Sequence, residues 1–357
     1  MNRAGRRAPA RLAAAGLLAL AACTGTPSPV PGPSGTTGDV LTGTVLAEAD
    51  QGRSVVTLRL PDGEPVPLRL PADVDFIPVA VPAEGGAVAV VFSRDRSTVY
   101  RLSADADPRP LLPFRGFVGR GGFGELTSIA VVGDRVVVGD CEAGVLLMRT
   151  IDGRGPARRV GEGCVGTLSP DGAHAAYFRD GAIWRVPVDG SSPPVELFRL
   201  DAVPGLRALV RLRDRAVFEM TWGEPGLALT IGDGETAAVV VAPTRGRLRA
   251  ISPLGALFVS FLRWQPGGRL LGVGTGQSGT EGFIRLYDPD RDELRTIGLH
   301  PRGYLSAAWA PDGQHVLAVL GAGLFGSTGG YWAVLDLEGR QVHRMRGPAG
   351  VVFGWLP

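Results

Sequence analysis

The feature that most constrains the fold is a plan of strand, tight turn, strand, turn that recurs every 40–50 residues or so, the spacing of a repeat architecture. Its clearest copy is residues 166–190, GTLSPDGAHAAYFRDGAIWRVPVDG. Pro170-Asp171-Gly172 reads as a turn: proline presets φ, aspartate bonds its own backbone, and glycine accepts φ > 0. A small apolar run follows to Phe178, then a second turn at Arg179-Asp180-Gly181. Residues 183–188, IWRVPV, alternate apolar and polar as a half-buried strand does, and Asp189-Gly190 closes the unit.

The plan returns over residues 307–339, where Trp309-Ala310-Pro311-Asp312-Gly313 leads into an apolar run and then into Tyr331-Trp332-Ala333-Val334. Looser copies begin at Trp264-Gln265-Pro266-Gly267-Gly268 and at the turn Glu84-Gly85-Gly86. The weakest carry Gly133-Asp134 within 130–138 and Arg213-Asp214 within 210–220. The S-P-D-G and A-P-D-G turns, each followed by an apolar strand and then I-W-R-V or Y-W-A-V, resemble the WD40-like repeats of TolB-type β-propellers. The resemblance spans most of residues 40–357. It implies an all-β fold, a single β-propeller, and little about chemistry, because propellers host many unrelated activities.

Strands at 41–48, 54–60 and 66–70 precede the first full unit, and one apolar strand, 351–356, follows the last. Together they are expected to complete one blade and so close the ring without a seam. The other blades fall near 76–113, 125–160, 164–200, 206–246, 250–299 and 303–347, giving roughly seven four-stranded blades. Six is the alternative, because 206–260 is poorly patterned.

Residues 1–22 have a basic start, an apolar run over 12–20 and small residues at the end, the three parts of a secretory signal. The run is too short to span a bilayer comfortably. Leu20-Ala21-Ala22-Cys23 resembles a bacterial lipobox, which implies that Cys23 becomes the first mature residue and carries the lipid. The other reading is an ordinary signal peptide with an incidental cysteine. Residues 23–38 are rich in Pro, Gly, Ser and Thr and read as a disordered tether, leaving 39–357 for the propeller. The expected location is the extracytoplasmic face of a cell membrane. Cys141 and Cys164 are then the remaining cysteines, in a compartment where disulfides persist. They read as a bridge between neighbouring blades, or as two separate buried thiols.

Every one of the 37 basic residues is arginine, which excludes a lysine Schiff base or lysine general base. With Arg3, Arg6, Arg7 and Arg11 in the leader, the remainder is close to neutral, which argues against nonspecific nucleic-acid binding. No cofactor or metal site is expected. His174, His300, His315 and His343 lie far apart without zinc spacing. The acidic run 288–293 fits a hairpin turn better than a calcium loop, and the glycine run 119–124 lacks the lysine and the strand–loop–helix setting of a phosphate cradle. No G-x-S-x-G elbow is present, and no catalytic residue is assigned.

The candidate binding residues sit in the longer loops at 108–124, 221–226, 274–282, 300–303 and 321–330. They are Arg115, Phe117, Arg120, Phe123, Trp222, Glu224, Gln277, Glu281, His300, Arg302 and Phe325. Arginine and aromatic side chains suit protein or glycan contacts. The leading expectation is a lipoprotein, monomeric on its own, whose propeller is a platform for an envelope protein partner. The alternative is a propeller enzyme, or a sensor of small molecules or glycans that uses the central channel.

Overall fold

The computed structural model describes residues 41–357 except 62, 94–95, 115–127, 142, 164, 211–215, 233–235, 253–258, 276–281, 301–303, 321–329 and 348–349. All described strands belong to one compact unit within Thr37–Pro357. In chain order they open with β1 (Gly43–Ala49), β2 (Ser54–Leu60) and β3 (Val66–Pro67). Next come β4 (Phe76–Ala83), β5 (Gly86–Ser93), β6 (Arg96–Leu102) and β7 (Arg109–Phe114). A second full set is β8 (Ile129–Val132), β9 (Arg135–Asp140), β10 (Val145–Thr150) and β11 (Arg158–Gly161). A third is β12 (Gly166–Leu168), β13 (His174–Arg179), β14 (Ala182–Pro187) and β15 (Val195–Arg199). A fourth is β16 (Ala216–Gly223), β17 (Gly226–Gly232), β18 (Ala237–Pro243) and β19 (Arg249–Ile251). Then follow β20 (Val259–Trp264), β21 (Leu271–Thr275), β22 (Gly282–Asp288) and β23 (Glu293–His300). The last are β24 (Tyr304–Trp309), β25 (His315–Leu320), β26 (Gly330–Asp336), β27 (Gln341–Gly347) and β28 (Val352–Leu356).

These strands form seven four-stranded antiparallel sheets. Six sheets are consecutive in sequence, and the seventh has the order β28-β1-β2-β3. The first strand of each sheet touches the first strand of the next, from β4 through β8, β12, β16, β20 and β24 to β28, which returns to β4. The molecule is therefore a closed seven-bladed propeller, not six-bladed, with these strands nearest the axis.

A seventh blade is present because 216–251 forms a complete sheet despite its weak pattern. The pattern fails just upstream of it. Residues Leu200–Ala202 make a 3-10 turn and Leu206–Leu209 a single α-helical turn, and Leu200, Val203, Leu206 and Val210 are buried between blades. Apolar residues that read as an irregular strand are a packed connection. The expected turn at Arg213-Asp214 falls outside the described residues, and β16 begins only at Ala216.

Neighbouring blades share apolar clusters, because the middle strands bury both faces. Val88 and Val90 of β5 pack against Val136 and Val138 of β9, while Ala87, Ala89 and Val91 face Leu46 and Val55 of the closing blade. Likewise Leu229 and Ile231 face the third blade and Ala228 the fifth. A buried Val or Leu contributes roughly 1.5–3 kcal/mol, against about 0.5–1.5 kcal/mol net for a hydrogen bond. The faces between blades, rather than the ladders, dominate cohesion. Outermost strands show the converse: Val195–Arg199 is exposed almost throughout.

The turns behave as their residues require. Gly172 has φ 66° and its N–H donates to Ser169 O at 2.8 Å, while Asp171 Oδ1 accepts from Ala173 N at 2.9 Å. Gly313, also at φ 66°, repeats this with Asp312 accepting from Gln314 N at 2.7 Å. The acidic run 288–293 is a hairpin turn in which Asp288 Oδ1 accepts from Asp290 N at 2.9 Å.

Closure is by β28 on β1, with Thr44 opposite Leu356, Val45 opposite Trp355 and Ala47 opposite Val352. Trp355 Nε1 donates to Thr42 O at 3.2 Å and Glu48 N to Val351 O at 2.8 Å. Gly354 is required for the fit, since a Cβ there would lie 2.3 Å from Pro82 Cγ of the next blade. Deleting residues 352–356 removes the buried Val352 and Trp355 and opens the inner edge of β1. The expected loss exceeds about 5 kcal/mol, comparable to a typical net stability. Trp355→Ala alone is expected to cost roughly 3–5 kcal/mol. Melting both variants by circular dichroism checks this, and unchanged melting temperatures would count against closure.

Candidate functional site

Strand direction decides which rim each connection belongs to. Strands alternate, so turns after the first and third strands of a blade lie on one rim, and connections after the second and fourth lie on the other. The first is called here the turn rim and the second the loop rim. Arg115, Phe117, Arg120 and Phe123 connect β7 to β8, Gln277 and Glu281 connect β21 to β22, Arg302 connects β23 to β24, and Phe325 connects β25 to β26. All belong in sequence to loop-rim connections, and all lie outside the described residues. His300 is the last residue of β23, with its backbone opposite Gly282.

Trp222 and Glu224 require a correction. The stretch 221–226 is not a long loop. Thr221, Trp222 and Gly223 end β16, Gly226 opens β17, and Glu224-Pro225 is the turn between them. This is the turn after the first strand of a blade, so both residues sit on the turn rim, opposite the other candidates. There Trp222 and Glu224 line an open cleft of about 280 Å³ with Pro170, Arg263, Trp264 and Gln265. Gln265 Nε2 donates to Gly313 O at 2.8 Å, tying this turn to the next blade, and Arg263 pairs with Glu219. Trp264 is buried, and its Nε1 has no hydrogen-bond partner among the described residues.

A larger cleft of about 500 Å³ lies on the same rim, between the closing blade and the blade that starts with β4. Leu46, Leu68, Ala104 and Leu356 supply its apolar lining and Thr44, Thr57, Glu84 and Asp105 its polar lining. None of these was singled out from the sequence as a site. Glu84-Gly85-Gly86 was legible only as a turn.

Arginine has a structural role around the ring. Arg135 Nη1 donates to Gly172 O at 2.6 Å, Arg158 Nη2 to Asp189 O at 3.0 Å and Arg295 Nη1 to Leu337 O at 2.6 Å, each reaching a carbonyl of the next blade. A guanidinium suits this work because its five donors reach out in a fixed fork. Arg285 is buried on β22, with its guanidinium 4.7 Å from the Phe283 ring centroid and Nε 3.3 Å from Thr296 Oγ1. Burial pulls its pKa below the ordinary arginine value. Among the described residues no group of three or more His, Cys, Asp or Glu is placed to hold a metal ion. His315 Nδ1 lies 2.8 Å from Asp312 Oδ2 within its own turn.

Glu48 is the titratable group built into the closure. Burial raises its pKa, partly offset by N–H groups of Val351 and Gly52. A raised carboxyl holds its proton more tightly in the folded state. Stability is therefore lost as pH rises from the ordinary glutamate range through the raised value. Glu48→Gln removes that loss. In urea titrations its stability relative to wild type is expected to improve over this window and then level off. A difference independent of pH would show that Glu48 is not the titrating group.

No protein-family model matches the chain, and no curated protein matches it either. Solved structures do. A putative 6-phosphogluconolactonase from Bacteroides uniformis aligns with TM-score 0.57 at 16% identity, over 88% of this chain and 98% of that one. TolB from Acinetobacter baumannii aligns with TM-score 0.51 at 13% identity, over 90% and 68%. A chain of the mitotic checkpoint complex aligns with TM-score 0.53 at 15% identity, over 83% and 96%. At such identities the likeness is one of fold, shared by proteins of different occupation.

Proposed function

We propose that the chain is a lipid-anchored extracytoplasmic protein, held at Cys23, whose propeller is a binding platform for a protein of the cell envelope. The observation that carries this reading is the contrast between the two rims. The chain enters the ring beside Leu356 on the turn rim, where Thr44 pairs with that residue. The widest connections, from Arg199 to Ala216, Phe114 to Ile129 and Leu320 to Gly330, all belong to the loop rim. Long loops on a rigid scaffold are where recognition residues concentrate. Arg115, Phe117, Arg120, Phe123 and Phe325 belong to two of those connections, and Gln277, Glu281 and Arg302 to shorter ones on the same rim, with His300 at their border. Trp222 and Glu224 do not, and the platform is assigned without them. No reaction is assigned.

Two measurements test this. Cys23→Ser is expected to shift the protein from the membrane fraction to a soluble or unprocessed form. A photo-crosslinking residue at Phe117 or Phe325 is expected to capture an envelope protein in intact cells, while one at Asp189 on the turn rim does not. Equal capture from both rims, or none, counts against the platform.

A bridge between Cys141 and Cys164 belongs to the same reading. Cys141 directly follows β9 and Cys164 lies between β11 and β12, so both belong to loop-rim connections of adjoining blades. A loop of about 23 residues closed this way gains roughly 3 kcal/mol on the chain-entropy argument. In the Cys23→Ser protein, thiol titration is expected to find no free thiol before reduction and two after. Two free thiols in the unreduced, unfolded protein would remove the bridge.

A further inference from the structure

We propose that the 500 Å³ cleft on the turn rim binds a small organic cation, a primary ammonium on an aliphatic stem. This goes beyond the platform reading, which concerns the opposite rim, and stands or falls without it. The cleft has a structural cause. On this rim the turn after a blade's first strand helps fill the space beside the next blade, as the Gln265–Gly313 and Arg135–Gly172 contacts show. In the closing blade the first two strands are β28 and β1, which no turn joins. The space beside Glu84-Gly85-Gly86 is left open, and its volume falls within the range of about 300–1,000 Å³ typical of small-molecule sites.

The chemistry of the lining selects the ligand. Leu46 is 1% exposed and Leu68 5%, so the floor is part of the core and takes a hydrocarbon stem. The ionisable side chains among its lining residues are Glu84 and Asp105, both acidic and both exposed. The neighbouring arginines are engaged: Arg101 Nη2 donates to Glu84 O at 3.1 Å, and Arg69 Nη1 lies 3.3 Å from Asp107 Oδ1. Thr57 Oγ1 donates to Val66 O at 3.3 Å and so offers its oxygen as an acceptor to an incoming N–H. Apolar depth, acceptors and two anions at the mouth favour an alkylammonium, disfavour a carboxylate and give an uncharged alcohol of equal length no ionic contact.

The test uses n-hexylammonium, n-hexanol and n-hexanoate with the full-length chain, followed by ligand-observed NMR titration. Saturable binding of hexylammonium is expected, with hexanoate not binding. Glu84→Gln with Asp105→Asn, both surface changes, is expected to weaken hexylammonium about tenfold, the effect of two exposed charge contacts, and to leave hexanol unchanged. Ala104→Trp, which fills the floor, and Thr44→Arg, which places a cation at the mouth, are each expected to abolish binding without lowering the melting temperature. Hexanoate binding as tightly as hexylammonium, an unaffected double variant, or no saturable binding would overturn the proposal.

Discussion

The pairing of β28 with β1 is the constraint on which the architecture depends. Each sheet is only four strands wide and buries both faces of its middle strands, so none is stable without a neighbour on either side. A row of such sheets always leaves two unsatisfied ends. Bending the row until its ends meet removes both, and the hydrogen bonds from Thr44 to Ala47 across to Val352–Leu356 hold it there. Gly354 allows the approach, since the neighbouring Pro82 occupies the space of any side chain at that position.

From this closure follows the distribution of polar chemistry. Side chains facing between blades are mostly apolar, with Arg285 a buried exception, and the ring is bracketed on its flanks by arginines that reach backbone carbonyls of the next blade. A lysine offers one compact charge and no fork, so the all-arginine composition suits this bracketing. The rims hold the connections between strands, and the widest, from Arg199 to Ala216, Phe114 to Ile129 and Leu320 to Gly330, fall on one of them.

Much of the fold was legible because turn residues have steric reasons to be where they are. Pro170-Asp171-Gly172 and Pro311-Asp312-Gly313 mark the same position in two blades, and the blade boundaries follow by counting from them. Legibility failed where burial came without a strand, at Leu200–Val210, whose apolar residues pack from a helical turn. That local failure had a wider effect. Which rim a turn belongs to is a matter of parity, and an uncertain start for the fourth blade placed Trp222 and Glu224 on the wrong one. The larger cleft was not legible at all. It gathers residues from Thr44 to Asp105 with Leu356 from the far end of the fold, and no local pattern encodes a space between them.

The order in which the strands become available has its own consequence. The strand that seals the ring, β28, follows every other described strand in the chain, so until it is made the growing molecule is an open arc. Throughout that interval the axial edge of β1 presents unpaired N–H and C=O groups beside the apolar Val45 and Ala47. Such an edge templates pairing with any extended chain that meets it. Long-range pairing of this kind is also slow to form. A nascent arc therefore competes between its own tail and foreign strands, and shielding that edge until the tail arrives decides how much of the chain matures.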